Sequence, residues 1–270
     1  MKISFIGGGN MASAIIGGLK RQGFAASDLH VVEPFAQGRD RLTGEFGVAV
    51  SEKADAALAQ AAVIVLAVKP QQMREAVAPI VPHLKSQLVV SIAAGIRLTD
   101  LSRWLSGYSR LVRCMPNTPA LIGAGITALY ANTTVDGAGR AAAEQVLAAV
   151  GRAVWVDDEA LIDPVTAVSG SGPAYVFYFL EAMQQAGGEL GLPDATTREL
   201  ALETFIGAAR LAAQSPETFA TLRERVTSKG GTTAAALAVM NQHKIREAFI
   251  EALKAASARG KELGEEMGKG

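Results

Sequence analysis

Gly7-Gly8-Gly9-Asn10-Met11-Ala12 spells a G-x-G-x-x-A pattern, whose chemistry is the binding of phosphate by main-chain groups. Gly7 permits a tight turn, Gly9 lets the backbone approach a pyrophosphate, and Ala12 allows a helix to pack closely on a strand. A helix that opens there offers unpaired N–H donors and a partial positive charge to an anion. Position strengthens the pattern, because a β-rich run ending at Ile6 precedes it and a helical stretch over 11–21 follows it. A glycine-rich turn without a ligand is the bland alternative. Glu33 closes a second β-rich run, where an acid bonds the ribose hydroxyls of NAD and repels a 2′-phosphate. That favours NADH, whereas Arg39 and Arg41 are near enough in sequence to reach a phosphate or simply to sit on a helix face. Val68-Lys69-Pro70 and Ala93-Ala94-Gly95 stand at the C-terminal ends of two further apolar runs, at the edge where open parallel sheets bind ligands.

A second group of small, hydroxyl-rich segments lies further along: Val168-Ser169-Gly170-Ser171-Gly172-Pro173 and Thr227-Ser228-Lys229-Gly230-Gly231-Thr232-Thr233. Each precedes a helical stretch. Successive glycines can turn N–H groups inward as a nest for a carboxylate, with the helix dipole behind them. Two ordinary capped helix starts read equally well from spacing alone. No histidine lies near either loop, so a nucleophile with an activating base is unsupported.

The elements that must position these residues follow from apolar patterning. Runs at 2–6, 30–33, 63–68, 88–92, 111–114, 126–130 and 153–156 are strand candidates, separated by helical stretches, which is the pattern of a parallel sheet covered on both faces. The runs at 63–68 and 88–92 are apolar nearly throughout, as central strands are. After residue 158 the chain reads as helices at 173–187, 197–214, 216–226, 233–242 and 245–267. Ser215-Pro216-Glu217 has the features of a helix start, and Ile245, Phe249 and Leu253 form an apolar stripe suited to a core or a subunit interface. The expectation is an α/β chain, with a dinucleotide-binding sheet over 1–160 and a helical domain over 161–270.

Composition narrows the classes of function. Hydrophobic residues make up 49% of the 270 and charged residues 19%, enough apolar side chain to offset chain entropy, so general disorder is excluded. Lys plus Arg and Asp plus Glu both count 26, leaving no net field for a polyanion or an anionic bilayer, and nucleic acid is an unexpected partner. One cysteine, Cys114, and three histidines offer neither an internal disulfide nor a zinc site; no metal is expected, and a reducing, cytoplasmic setting is. The apolar run at 61–68 is far short of the roughly 20 residues a spanning helix needs. A leader peptide is not expected, since Gly7-Gly8-Gly9 breaks the N-terminal apolar run at once.

Taken together, three segments resemble the pyrroline-5-carboxylate reductase family. Residues 5–12 are similar to its opening. Arg113-Cys114-Met115-Pro116-Asn117-Thr118-Pro119 is similar to its middle segment, and Ser169-Gly170-Ser171-Gly172-Pro173-Ala174-Tyr175 with the stretch 226–233 to its substrate loops. The first is shared by many dehydrogenases; the combination is specific and spans nearly the whole chain. The resemblance implies a Rossmann-type doubly wound sheet followed by an all-α dimerisation domain. It also implies reduction of 1-pyrroline-5-carboxylate to L-proline with NADPH or NADH, in a homodimer or higher oligomer.

By the same resemblance, Ile6, Gly7, Gly8, Gly9, Asn10, Met11, Glu33, Ala67, Val68, Lys69, Pro70, Ala93, Ala94 and Gly95 line the dinucleotide. Glu159, Ser171, Gly230, Gly231, Thr232 and Thr233 face the substrate. The chain departs from the family at Glu33, where a small polar residue is frequent, and at Arg225, where some members have Asn. The cyclic imine becomes a strong hydride acceptor once protonated, so positioning replaces acid catalysis. The expected arrangement seats the carboxylate on the N–H groups of Gly230, Gly231 and Thr232, with the Thr233 hydroxyl on the ring nitrogen. A β-hydroxyacid dehydrogenase is the alternative enzyme class, but it resembles a pattern with a catalytic lysine, and no lysine occurs between Lys85 and Lys229. A non-catalytic NAD(P) sensor is the alternative from outside the enzymes.

Overall fold

Side chains of the runs at 63–68 and 88–92 are apolar on both sides, so the strands they form must be covered on both faces. The computed structural model describes residues 1–269 and has eight strands: β1 (Ile3–Ile6), β2 (Leu29–Val32), β3 (Ala49–Ser51), β4 (Val63–Leu66), β5 (Leu88–Ser91), β6 (Leu111–Met115), β7 (Gly125–Ala131) and β8 (Gly151–Trp155). They form one sheet in the order β3-β2-β1-β4-β5-β6-β7-β8. The eleven α-helices are α1 (Asn10–Arg21), α2 (Ala36–Phe46), α3 (Met73–Val77), α4 (Leu98–Trp104), α5 (Gly137–Ala148), α6 (Ile162–Val165), α7 (Gly172–Glu189), α8 (Asp194–Gln214), α9 (Phe219–Arg225), α10 (Thr232–Gln242) and α11 (Ile245–Gly268).

The two faces have separate cores. Ile3, Phe5, Val31, Val63, Val65, Val90, Val112 and Cys114 pack with Ala12, Ile15, Ile16 and Leu19 of α1 and with Val146 and Leu147 of α5. Ile6, Val32, Ile64, Leu66, Val89 and Leu111 point the other way, onto Met73 and Val77 of α3 and Leu98 and Leu101 of α4. Full burial of each such side chain is worth roughly 1.5–3 kcal/mol. The spacing of Ala12, Ile15, Ile16 and Leu19 puts one stripe of α1 on the sheet.

Two differences from the sequence expectation concern the sheet. The strand β3 lacks an apolar signal because it is a three-residue edge strand, half-exposed at Val50 and Ser51, paired only with β2. The sheet is parallel except between β6 and β7, which run antiparallel. Only a short tract around the tight turn Thr118–Ile122 joins these two, whereas a parallel crossover takes a dozen or more residues.

The chain divides into two compact units, Met1–Gly172 with the stretch from Lys254 onward, and Pro173–Leu253. This geometric division falls elsewhere than the expected functional boundary near residue 160. The end of α11 joins the sheet unit because Met267 packs in the second core, and because Arg103 donates to Gly268 O at 2.6 Å. A side chain on Gly264 would meet Gly95 O at 3.2 Å, so helix and loop touch through glycine.

The second unit is helical. Glycine at 187 lets α7 and α8 cross closely, since a Cβ there would lie 2.1 Å from Thr197 Cγ2. Tyr175 and Phe179 pack edge-on against Phe249. The expected helix start at Ser215-Pro216-Glu217 is instead a turn in which Ser215 Oγ accepts from Glu217 N. The helix α9 begins at Phe219 because Thr218 Oγ1 accepts from Thr221 N at 3.2 Å, the geometry of an N-cap. Among the described residues, no helix is long and apolar enough to cross a membrane.

Candidate active site

The sheet order reverses at β1, which is followed on one side by β2 and on the other by β4, and a crevice opens at the carboxyl ends of the strands at such a point. The glycine loop fills this place. Gly7 N–H donates to Val32 O at 2.9 Å and Ala67 N–H to Ile6 O at 2.8 Å, so the loop is tied to β2 and β4. Gly7 has φ +95°, and a side chain there would meet Ala67 O at 2.9 Å, so only glycine fits. Gly9 is the N-cap of α1 with no side chain capping the helix, and the space above it is open for 4 Å. Uncapped N–H groups under open space fit a dinucleotide pyrophosphate.

The other residues expected at the dinucleotide gather on the same edge. Ile6 and Gly8 are buried, Asn10 is exposed and Met11 half-buried. Ala67 and Val68 are half-buried after β4; Lys69 is exposed, and Pro70 starts a tight helical turn. Ala93, Ala94 and Gly95 follow β5, the neighbour of β4, with Ala94 exposed and Gly95 at φ +76°. Glu33 follows β2, but its carboxylate is enclosed. Oε2 accepts from Gly8 N–H at 2.9 Å and Oε1 from Phe35 N–H at 3.0 Å, with the residue 8% exposed.

The residues expected at the substrate fall in two places, each described by itself. In the sheet unit, Glu159 Oε1 accepts from Leu98 N–H at 2.7 Å and from Arg113 Nη1 at 3.2 Å. Arg113 also donates to Asp163 Oδ1 at 3.1 Å. These side chains lie on a cleft of about 700 Å³ lined also by Arg97, Lys254 and Lys261. Ser171 does not lie in an open loop. The segment Thr166–Gly170 is a wide helical turn leading toward α7, and Ser171 N–H donates to Thr166 O. Glycine at 170 permits the close approach of Met115, since a side chain there would strike its Cε at 2.4 Å.

In the helical unit, Gly230 has φ +74° and Thr232 and Thr233 begin α10. The expected three free donors are corrected at Gly231, whose N–H donates to Ser228 O at 3.0 Å. Gly230 and Thr232 are exposed and Thr233 half-buried. Arg225 is ion-paired with Glu217, which occupies the cation that replaces the family's Asn.

Two residues escaped sequence reasoning. Arg113 is a charge within the apolar run Leu111-Val112-Arg113-Cys114-Met115, and that interruption is the signal of a buried ion pair. Asn117 joins the start of β7 to the turn before α7, its Oδ1 accepting from Ile126 N at 3.0 Å while Nδ2 faces Ser169 Oγ at 3.4 Å. Beside Arg113, burial pushes the Cys114 thiol far above its ordinary range, so it cannot serve as a nucleophile.

Comparison with known proteins agrees with this geometry. Residues 159–263 match the family model described as pyrroline-5-carboxylate reductase dimerisation, and residues 2–95 match that of NADP oxidoreductase, coenzyme F420-dependent. The chain is 48% identical to the pyrroline-5-carboxylate reductase of Pseudomonas aeruginosa, over 99% of this chain and 98% of that one. It is similar to the solved structure of a pyrroline-5-carboxylate reductase from Coxiella burnetii, with TM-score 0.92, 41% identity, and coverage of 97% and 98%. The Plasmodium falciparum pyrroline carboxylate reductase, solved with NADP bound, aligns with TM-score 0.87 and 27% identity over 98% of each chain. With full-length identity of this order and the same two-part architecture, the chain belongs to the pyrroline-5-carboxylate reductase family.

Proposed function

We propose that this chain reduces 1-pyrroline-5-carboxylate to L-proline, the last step of proline biosynthesis, using NADPH or NADH. The observation that carries the reading is the open, uncapped glycine loop at the sheet's reversal point, in a chain similar to reductases of this substrate along its whole length. Residues 6–11 line the pyrophosphate, with the N–H groups from Gly9 onward to bind it because those of Gly7 and Gly8 are held by Val32 O and Glu33 Oε2. The small side chains of Ala67, Ala93 and Ala94, with Gly95, let the dinucleotide lie close to the strand ends. Bound nicotinamide supplies the hydride. Lys69 and Pro70 shape the rim after β4.

The substrate is a protonated cyclic imine that accepts a hydride at carbon, and the electron pair of its C=N bond moves to nitrogen to leave a secondary amine. The chain therefore needs to hold the ring rather than supply a strong acid. Thr233 bonds the ring nitrogen through its hydroxyl, and Gly230 and Thr232 offer N–H groups to the carboxylate. Ser171, Glu159 and Gly231 stand as supporting residues, the last two already engaged with Leu98 and Ser228.

The assay is loss of reduced-nicotinamide absorbance on addition of pyrroline-5-carboxylate, with proline identified as product. Absence of turnover with both NADH and NADPH overturns the reading. Thr233→Ala lowers turnover at unchanged melting temperature and Thr233→Ser restores it; wild-type kinetics in Thr233→Ala removes that residue from the mechanism.

The partner is a second copy of the chain. Phe177 is 64% and Tyr178 68% exposed on α7, apolar area that a subunit interface would cover. A dimer or larger assembly is expected by sedimentation, and a monomer overturns it. The functional domains are 1–160 for the dinucleotide and 161–270 for substrate and dimerisation, in keeping with the family match at 159–263; Gly270 itself lies outside the described residues. A cytoplasmic location accords with a single, buried, unpaired cysteine.

A further inference from the structure

Two charged side chains meet the main chain of one residue of the glycine loop, Gly8. Glu33 Oε2 accepts from Gly8 N–H at 2.9 Å, and Arg41 Nη2 donates to Gly8 O at 2.6 Å. The acid is fixed: Phe35 N–H holds its other oxygen, and a side chain on Gly38 would come within 2.8 Å of its Cγ, so the helix backbone walls it in. The two arginines near it differ. Arg39 folds under the turn, donating through Nη1 to Glu33 O at 2.9 Å and to Pro34 O at 2.7 Å, with its Nη2 side 3.9 Å from Glu52. Arg41 reaches from α2 over the loop to Gly8 O and to Ser13 Oγ at 3.0 Å, and its side chain is 43% exposed. Glu45, at 3.7 Å, is the only carboxylate paired with it among the described residues.

An acid in this place disfavours a 2′-phosphate, and a cation beside it offsets that repulsion. Guanidinium has five N–H donors in a fixed fork and matches phosphate oxygens in pairs. Arg41 has donors left after its bonds to Gly8 O and Ser13 Oγ and remains open to solvent, whereas Arg39 is engaged by the carbonyls of Glu33 and Pro34. We infer that Arg41 is the specificity-determining residue for the phosphorylated cofactor: it binds the 2′-phosphate of NADPH, while Glu33 stays on the loop with both oxygens held by main-chain N–H groups. The chain therefore accepts both cofactors, and the two charges set the ratio. This rests on the dinucleotide reading above.

The test is equilibrium binding of 2′-phospho-ADP-ribose and of ADP-ribose to the full chain by calorimetry. Loss of a charge-assisted phosphate contact corresponds to about tenfold in affinity. Arg41→Ala is expected to weaken 2′-phospho-ADP-ribose by about that factor and to leave ADP-ribose within about twofold, and Arg41→Lys to recover part of the loss. Retained ADP-ribose binding shows that the variant is folded. Parallel loss of both ligands, or loss of neither, overturns the assignment of Arg41. Failure of the wild-type chain to bind ADP-ribose at all overturns the dinucleotide reading itself, and with it this inference.

Discussion

Arg113 Nη1 donates to Glu159 Oε1 at 3.2 Å, joining the middle of β6 to the turn that leads into α6. The arginine side chain is 3% exposed, and its second nitrogen binds Asp163, so one buried cation serves two carboxylates. The same Glu159 oxygen caps the Leu98 N–H at the start of α4. A residue expected at the substrate is thus also a fastening between the sheet and the segment that follows it.

Breaking such a buried pair from one side leaves unpaired charge, which costs about 3–5 kcal/mol. Arg113→Ala is expected to lower unfolding free energy by about that amount in urea titrations. Glu159→Gln keeps an oxygen for Leu98 N–H and is expected to cost less. Equal losses in the two variants would contradict this account.

Glycines at 18 and 44 give opposite expectations. A Cβ on Gly18 would lie 2.1 Å from Ala149 O, a main-chain atom that cannot turn aside, while a Cβ on Gly44 meets nothing within 4 Å. Gly18→Ala is expected to destabilise by about 1–3 kcal/mol through forced separation of α1 from the end of α5. Gly44→Ala, within α2, is expected to stabilise by about 0.5–1 kcal/mol. Thermal unfolding of the two variants checks both signs.

His30 predicts a pH dependence. Its ring nitrogens face Ser4 Oγ at 3.3 Å and Ser51 Oγ at 3.1 Å, with Asp55 at 3.8 Å. Burial lowers its pKa below the ordinary 6.5 more than Asp55 raises it. The unfolded chain therefore takes up a proton below pH 6.5 that the folded chain refuses. Stability from this group is complete above that pH and is lost as pH falls through the folded value. His30→Gln is expected to flatten the decline between neutral and mildly acidic pH in denaturant midpoints; an unchanged slope refutes the assignment.

Cys114 lies in the first core, 1% exposed, with its thiol held protonated by burial. A disulfide reagent is expected to leave the native chain unlabelled and to react with one thiol after unfolding in guanidinium. Rapid labelling of the native chain would show that the strand opens.

Much of this was legible in the residues because it depends on local chemistry. The turn at Gly7, the helix behind it and the apolar runs of β4 and β5 are dictated by side chains next to one another in sequence. Glu33 was legible as an acid at the end of β2, yet not as one enclosed by Gly8 and Phe35 N–H groups, since Gly8 is 25 residues away. Ser169-Gly170-Ser171 reads as a loop before a helix, but the backbone there continues α6 as a wide helical turn closed by Ser171 N–H on Thr166 O. Ser215 and Thr218 are both capping residues by type, and only the backbone directions at each decide which begins α9.

By itself the amino-acid sequence determined the alternation of buried strands and helices, the dinucleotide loop, the helical second half and the family, all of which rest on residue type and short-range spacing. Tertiary structure alone decided the antiparallel turn of β7, the return of the end of α11 to the sheet, and the pairing of Arg113 with Glu159 and Asp163. It also decided which of two neighbouring arginines reaches Gly8. These are contacts between residues far apart in the chain, and a charge's partner is set by where the backbone brings it, which no local pattern encodes.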